Sequence, residues 1–187
     1  MTSDASLTGQ FLIAMPALND PNFQRSVTYL CEHNEEGALG IVINHPMSIV
    51  LSDLLDQLDV EVTDPASGQL PIYDGGPVQM ERGFVLHQPA GQWDSTMLIH
   101  NDIAITTSRD VLESLAKGKG PERVLIALGY AGWGAGQLEH EMSENAWLAG
   151  PATAEIVFDT PIDQRWHRAA ALLGVDLNLI HGEAGHA

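Results

Sequence analysis

Two kinds of residue grouping in this sequence could do chemistry, and the first is built on a thiol and an imidazole. Cys31 and His33 stand two apart in the apolar run Val27 to His33, so as a strand they share one face. Glu36, in the polar stretch that follows, is a conceivable third donor. A protein metal site takes three or four ligands of suitable type, and two on one strand fall short. The chain has one cysteine, which also removes any Cys-rich zinc module or internal disulfide. The favoured reading buries Cys31 as a small apolar residue and lets His33 end its strand through a hydrogen bond. His140 beside Glu139, and the pair His181 and His186, make poorer sets. No metal and no cofactor is expected.

The second grouping is made of glycines. Asp74-Gly75-Gly76-Pro77 follows a short apolar run and could offer backbone N–H groups to an anion, although a tight turn is the commoner use of such a sequence. Gly129 to Glu139 is richer. Gly132 and Gly134 flank Trp133, Tyr130 and Trp133 could form an aromatic wall, and Gln137 and Glu139 could direct a ligand in a pocket. A glycine corner packed beneath Trp133 is the plainer alternative. There is no Gly-x-Ser-x-Gly elbow, no Walker loop and no Gly-x-Gly-x-x-Gly. An enzyme built on this chain would use His33, His87 and Glu139 as its acid and base groups. Glu139, Glu141 and Glu144 together read as a solvated helix face.

Charge narrows the partners. Eight Lys and Arg face 25 Asp and Glu, a net charge of −17. Such a surface repels nucleic acid and anionic lipid, which attract proteins through basic patches. Arg109, Lys117, Lys119 and Arg123 cluster in one segment, but Asp110, Glu113 and Glu122 dilute it. Neither Met1 to Thr8 nor Phe11 to Met15 has the make-up of an export signal, and no apolar run reaches the length of a membrane helix. A cytoplasmic protein without membrane contact is expected.

The elements that must position these groups follow from periodicity. Gln10 to Ala14, Val27 to His33, Leu39 to Asn44, Leu70 to Tyr73, Gly83 to His87, Thr96 to Ile99, Ile103 to Thr106, Glu122 to Gly129 and Ala154 to Phe158 read as strands. Leu51, Leu54, Leu55 and Leu58 mark one helix face. Ser108 opens a helix to about Lys117, burying Val111, Leu112 and Leu115. A short helix covers about Ala135 to Met142. Thr160-Pro161-Ile162-Asp163 looks like a capped start for a last helix, closed by Gly174. Trp147 and Trp166 read as core. Hairpin-like strands with interspersed helices predict an α+β domain with a mixed sheet rather than repeated βαβ units.

The order of several blocks is distinctive. Phe11 to Pro16 precedes Pro21-Asn22-Phe23, and Gly37 to Asn44 follows. Next come Tyr73-Asp74-Gly75-Gly76-Pro77-Val78, Gly83 to His87, Gly129 to Glu139 and Asn145-Ala146-Trp147-Leu148. In this series the chain resembles the AlgH/YqgE family. The resemblance implies one small bacterial domain over residues 1–187 and a mostly antiparallel sheet curled into a partial barrel with flanking helices. Residues 1–8 and 182–187, poor in apolar content, are expected to be flexible. One branch of the family carries the name of a regulator of alginate synthesis; the resemblance brings a transcriptional-regulator label with it, but no catalytic residue.

A non-enzymatic regulatory or binding protein acting through a protein or small-molecule partner is therefore the first expectation, and a small-molecule enzyme, a hydrolase for instance, the alternative. The binding candidates are Asn44, Gly75, Gly76, His87, Tyr130, Trp133, Gln137 and Glu139. The two glycine blocks are expected to meet beside the main concave surface, with His87 or Asn44 near them. Direct DNA readout is not expected. A gel-shift assay at physiological salt should give no sequence-specific complex with duplex DNA at nanomolar protein, the range in which genuine specific complexes form.

Overall fold

The computed structural model describes residues 6–179. Ten strands among them form one sheet: β1 (Gln10–Ala14), β2 (Val27–Asn34), β3 (Gly37–Val42), β4 (Pro46–Val50), β5 (Pro71–Asp74), β6 (Val78–Gln88), β7 (Thr96–His100), β8 (Ile103–Thr106), β9 (Arg123–Gly134) and β10 (Trp147–Pro151). The main order is β10-β1-β2-β3-β9-β6-β8-β7, with β4 beside β5 and β5 beside β9. Only the β5–β9 pairing is parallel. Helices α1 (Leu51–Gln57), α2 (Pro65–Gly68), α3 (Arg109–Ala116), α4 (Gln137–Ser143) and α5 (Arg165–Ala171) flank the sheet. This is the expected α+β domain, with the mostly antiparallel sheet curled into a half-barrel.

Alternation along the strands sorts the apolar residues onto two faces. Phe11, Ile13, Tyr29, Ile41, Phe84, Leu86, Leu125 and Ala127 meet in a single core cluster. Their neighbours divide: Leu12, Ala14, Leu30 and Ala38 join one cluster, while Val85 and Ile126 join another. A curled sheet does this, because side chains converge on its concave face and splay apart on its convex one. Helices α1 and α3 cover one convex cluster through Leu51, Leu55, Val111, Leu112 and Leu115. Helix α4 covers the other through Leu138. The C-terminal segment fills the concave side with Ile156, Val157, Trp166, Ala169 and Ala170.

Several expectations are corrected. Residues 154–158 are not a strand: Glu155–Asp159 forms a π-helical turn. A short β-branched run looks the same in either state, and burial of Ile156 and Val157 in the concave core decides it. Thr160 does not cap a helix start; its hydroxyl donates backwards to the Glu155 carbonyl at 3.1 Å, and α5 begins later, at Arg165. Ser108 bonds Asp110 at 2.6 Å instead of a helix N–H. The glycines of 129–134 lie within β9, which runs on to Gly134 where a corner was expected. Strands β4 and β10 carried no sequence signal strong enough to be expected.

At the amino end, Ser6, Leu7 and Thr8 do not fray. The Ser6 hydroxyl donates to the His33 carbonyl at 3.0 Å, and the His33 N–H donates to the Thr8 hydroxyl at 2.9 Å. Residues 1–5 and 182–187, the rest of the expected flexible ends, lie outside the described residues, as do His181 and His186. Among the described residues no helix is long and apolar enough to cross a membrane.

The tightest packing is between backbones. A Cβ on Gly76 (φ +149°) would stand 2.1 Å from the Tyr130 carbonyl carbon, and one on Gly75 would stand 2.4 Å from the Gly129 oxygen. Gly76→Ala should therefore destabilise the fold by at least about 2 kcal/mol, the range of a strained, overpacked buried site. Urea unfolding checks this; a loss below about 0.5 kcal/mol would contradict the close approach.

Candidate functional site

The two glycine blocks meet because β5 runs parallel beside β9, pairing Asp74 with Leu128. Their contact leaves no anion site. The Gly75 N–H donates to the Leu128 carbonyl at 2.9 Å and the Gly76 N–H to the Asp74 carboxylate at 3.2 Å. Both glycines are buried. They set the spacing that the surface beyond them needs.

That surface is an open hollow of about 430 Å³ at one end of the concave face. Gly37 and Gly132 expose backbone there, and Leu39 and Val78 supply an apolar margin. Tyr130 stands half-buried against the edge of Phe84, with ring centroids 5.6 Å apart. Glu32, Asn34 and Glu36 line the opposite side, all exposed. Asn34 holds the acidic pair in place: its Nδ2 donates to Glu32 at 3.3 Å and its Oδ1 accepts the Glu36 N–H at 2.8 Å. Arg82 is stacked 5.4 Å over Phe84, behind the wall, and does not line the hollow.

A bulge explains which residues reach it. The β2–β3 register slips between Leu30 and Glu32, so Cys31 and His33 do not share a face. Cys31 enters the concave core, where burial pushes its thiol far above the thiolate range. His33 pairs with Ala38 and turns to the convex side. The pair considered as a metal start is thereby split, and among the described residues no group of three His, Cys, Asp or Glu is placed to hold a metal ion. Glu32 inherits the concave position.

Trp133 lies three residues from Tyr130, an odd step that puts the two rings on opposite faces. Both residues line the hollow, but the rings pack into different core clusters. The Trp133 ring packs with Phe23 and Trp147 on the convex side, and its indole N–H donates to Glu141 at 3.0 Å. The Trp147 indole donates to the same carboxylate oxygen at 2.9 Å. Gln137 completes the set: its Nε2 donates to Glu141 at 3.0 Å and its Oε1 accepts the Gly134 N–H at 2.9 Å. Glu141 is thus no solvated-face residue but a brace that docks α4 onto the sheet.

Of the acid and base candidates, His33 and Glu139 meet and His87 lies apart from them. His33 accepts the Leu7 N–H at Nδ1 (2.9 Å), so its Nε2 carries the proton and donates to Glu139 at 2.9 Å. The Glu139 carboxyl is held below the usual carboxylate range, first by its own backbone N–H and then by the His33 ring. His87 is fully buried. Its Nδ1–H donates to the Pro89 carbonyl at 3.0 Å, and its Nε2 accepts the Thr106 hydroxyl at 2.7 Å. His33 sits beside Trp133 across β3, whereas His87 pairs with Val124. Nine steps along β9 separate those positions, at most about 30 Å if fully extended. Asn44 is equally committed, its amide joining the Val27 N–H and the Arg25 carbonyl at 2.9 Å each. Neither His87 nor Asn44 reaches the hollow.

Sequence reasoning missed Glu32, Asn34, Leu39 and Val78, and considered Glu36 only as a metal donor. The polar alternation of Glu32 and Asn34 was a usable signal, but the bulge reverses the face it implies. Basic residues do not assemble either: Arg109 pairs with Glu113 at 3.3 Å and Arg123 with Asp159 at 2.7 Å.

Known proteins share this architecture. Residues 11–178 match the family model described as AlgH-like. A UPF0301 protein of Thioalkalivibrio sulfidiphilus is 58% identical over 187 residues and covers 100% of both chains. Another, from Nitrosococcus oceani, is 57% identical over 177 residues, 95% of each chain. The solution structure of the AlgH protein from Pseudomonas aeruginosa, 52% identical, gives a TM-score of 0.81 over 100% of this chain and 99% of that one. A Corynebacterium diphtheriae protein at 21% identity gives 0.72 over 93% and 91%, a likeness of fold.

Burial depresses the pKa of His87 and of His45, outweighing the carbonyls and carboxylates near each. The unfolded chain then takes up protons before the folded one does. Stability is complete above the ordinary histidine range and falls as pH drops through it toward the folded values. Urea midpoints should decline from pH 7.5 to 5.5, with a shallower slope in His87→Gln. A flat profile in the parent protein would refute the assignment.

Proposed function

The chain belongs to the AlgH-like family, and from that footing we propose that it is a non-enzymatic binding protein whose hollow receives a positively charged group of a small-molecule or protein partner. One observation carries the reading: Glu32 and Glu36 face the half-buried Tyr130 across a glycine-lined floor, with no basic side chain among the described residues lining the space. Two carboxylates and an aromatic wall suit an ammonium or guanidinium group, which gains charge-assisted hydrogen bonds on one side and ring contact on the other. Exposed glycine backbone allows a ligand to approach closely. A net charge of −17 adds a long-range attraction for cations.

An acid/base enzyme has less support. His33 and His87 each spend both ring nitrogens on fixed partners, and each is buried away from the hollow. A regulatory role, such as the family resemblance implies, then runs through the bound partner and not through DNA.

Titration with spermidine, agmatine and arginine amide, followed by amide chemical shifts, tests the proposal. Cation-induced shifts should centre on residues 32–39 and 130–132. The double variant Glu32→Gln, Glu36→Gln should weaken binding at least about tenfold, since each charge-assisted bond is worth about 1.5 kcal/mol or more. Shifts that survive unchanged in the double variant, or a preference for an anion such as ATP at the same residues, would refute it.

A further inference from the structure

We infer that a cleft at the seam of the half-barrel is a second binding site, one that holds a small neutral molecule by its carbonyl oxygen. The curl brings the two ends of the sheet toward each other, so that the segment after β10 faces the turn joining β7 to β8. Ala152, Thr153 and Ala154 line one side of the cleft and His100 and Ile103 the other, around a space of about 290 Å³. Gly9 closes the seam: a Cβ there would stand 2.7 Å from the His100 Cβ. Tyr29 lies mid-sheet between Phe11 of β1 and Ile41 of β3, with its ring in the concave core. Ile103 and Ala154 can meet it only across that interior, so the ring reaches the cleft by its hydroxyl end. Tyr29 is 1% exposed, yet its hydroxyl has no hydrogen-bond partner among the described residues. The one side-chain bond at this residue brings the Cys31 thiol to its backbone carbonyl at 3.7 Å. The other buried tyrosine, Tyr73, meets the Arg165 guanidinium at 3.2 Å. A native fold rarely leaves a buried hydroxyl without an acceptor, and the cleft is where one can enter.

The lining defines the ligand. Burial pushes the Tyr29 phenol far above its ordinary range, so it remains a neutral donor. The Thr153 hydroxyl accepts the Ile156 N–H at 3.2 Å and keeps its own proton to give. The His100 ring, exposed at the rim and bonded to no described residue, can donate a third. Donors converging on one space call for an acceptor. No Asp, Glu, Lys or Arg lines the cleft, so an ion entering it would surrender hydration without a countercharge. A neutral carbonyl, as in an amide, lactam or ketone, meets both conditions. Ile103, Ala152 and Ala154 offer apolar contact to the body behind it. The volume, at the small end of ligand pockets, limits that body to one ring or a few carbons.

Three probes of similar size test this on the full-length protein: 2-pyrrolidone, pyrrolidinium and butyrate. 2-Pyrrolidone should shift the amides of Gly9, Tyr29, His100 and Thr153, saturating at millimolar concentration, and both ions should bind there at least about fivefold more weakly, the worth of one hydrogen bond. Tyr29→Phe should weaken 2-pyrrolidone by the same factor. Its urea midpoint should stay unchanged or rise, because no bond within the protein is lost. Glu32→Gln with Glu36→Gln should leave 2-pyrrolidone binding intact, which separates the cleft from the hollow. No saturable shift with 2-pyrrolidone, equal binding of either ion at these residues, or binding unaltered in Tyr29→Phe would overturn the inference. So would a lowered urea midpoint in Tyr29→Phe, which would show that the hydroxyl already serves the fold.

Discussion

Strand β9 carries the fold through a single permissive residue. It pairs with β6 along one side, and on the other with β5 through Ile126–Leu128 and then with β3 through Ala131–Gly134. One strand edge serves two neighbours in succession, so the chain must turn between them. Gly129, at φ +79°, is that turn, and the buried Gly75-Gly76 peptide fits against it. Side chains on these glycines would push the two backbones apart. The half-barrel would then lose the junction between the part of the sheet built on β1–β3 and the part built on β5–β8. The hollow depends on the same junction, since Tyr130 follows Gly129 directly and takes its direction from it.

Polar groups outside the hollow are largely consumed by architecture. His33 ties the amino-terminal residues to β2 and α4 at once, through Leu7 and Glu139. His87 closes a line of hydrogen bonds in which Thr96 reaches Thr106 at 2.8 Å and Thr106 reaches the ring. Arg165, buried without a carboxylate beside it, is satisfied by the carbonyls of Ile43 and Thr160 and by the Tyr73 hydroxyl. Each arrangement avoids the cost of an unpaired buried polar group. The carboxylates facing the hollow differ in kind: both are exposed, and Glu32 accepts only from the Asn34 amide.

What could be read from the sequence was whatever local burial dictates. Strands β1 and β2, the stripe of Leu51 to Leu58, and the helix beneath Val111 and Leu112 all follow from alternation or helical spacing. The core positions of Trp147 and Trp166 follow likewise, and the family order of blocks supplied the curl. Long-range choices were not legible. Nothing in Leu30-Cys31-Glu32 announces a bulge, yet that extra residue sends His33 to one face and Glu32 to the other. Glu141 looks like any helix glutamate until two indoles, Trp133 and Trp147, converge on it from opposite sides in the chain. The run Glu155 to Asp159 takes a π-helical turn because the concave core must be filled, a demand made by distant strands.

The shared carboxylate of Glu141 also makes α4 visible to light. The chain has four tryptophans. Trp133 and Trp147 point their indole N–H groups at one negative oxygen, Trp166 points its own at the Ala14 carbonyl, and the Trp93 nitrogen is buried without a partner among the described residues. The emission of an indole responds to charge beside its nitrogen. Half of the tryptophans therefore report on whether one seven-residue helix is seated, and the other two serve as internal references for the rest of the fold.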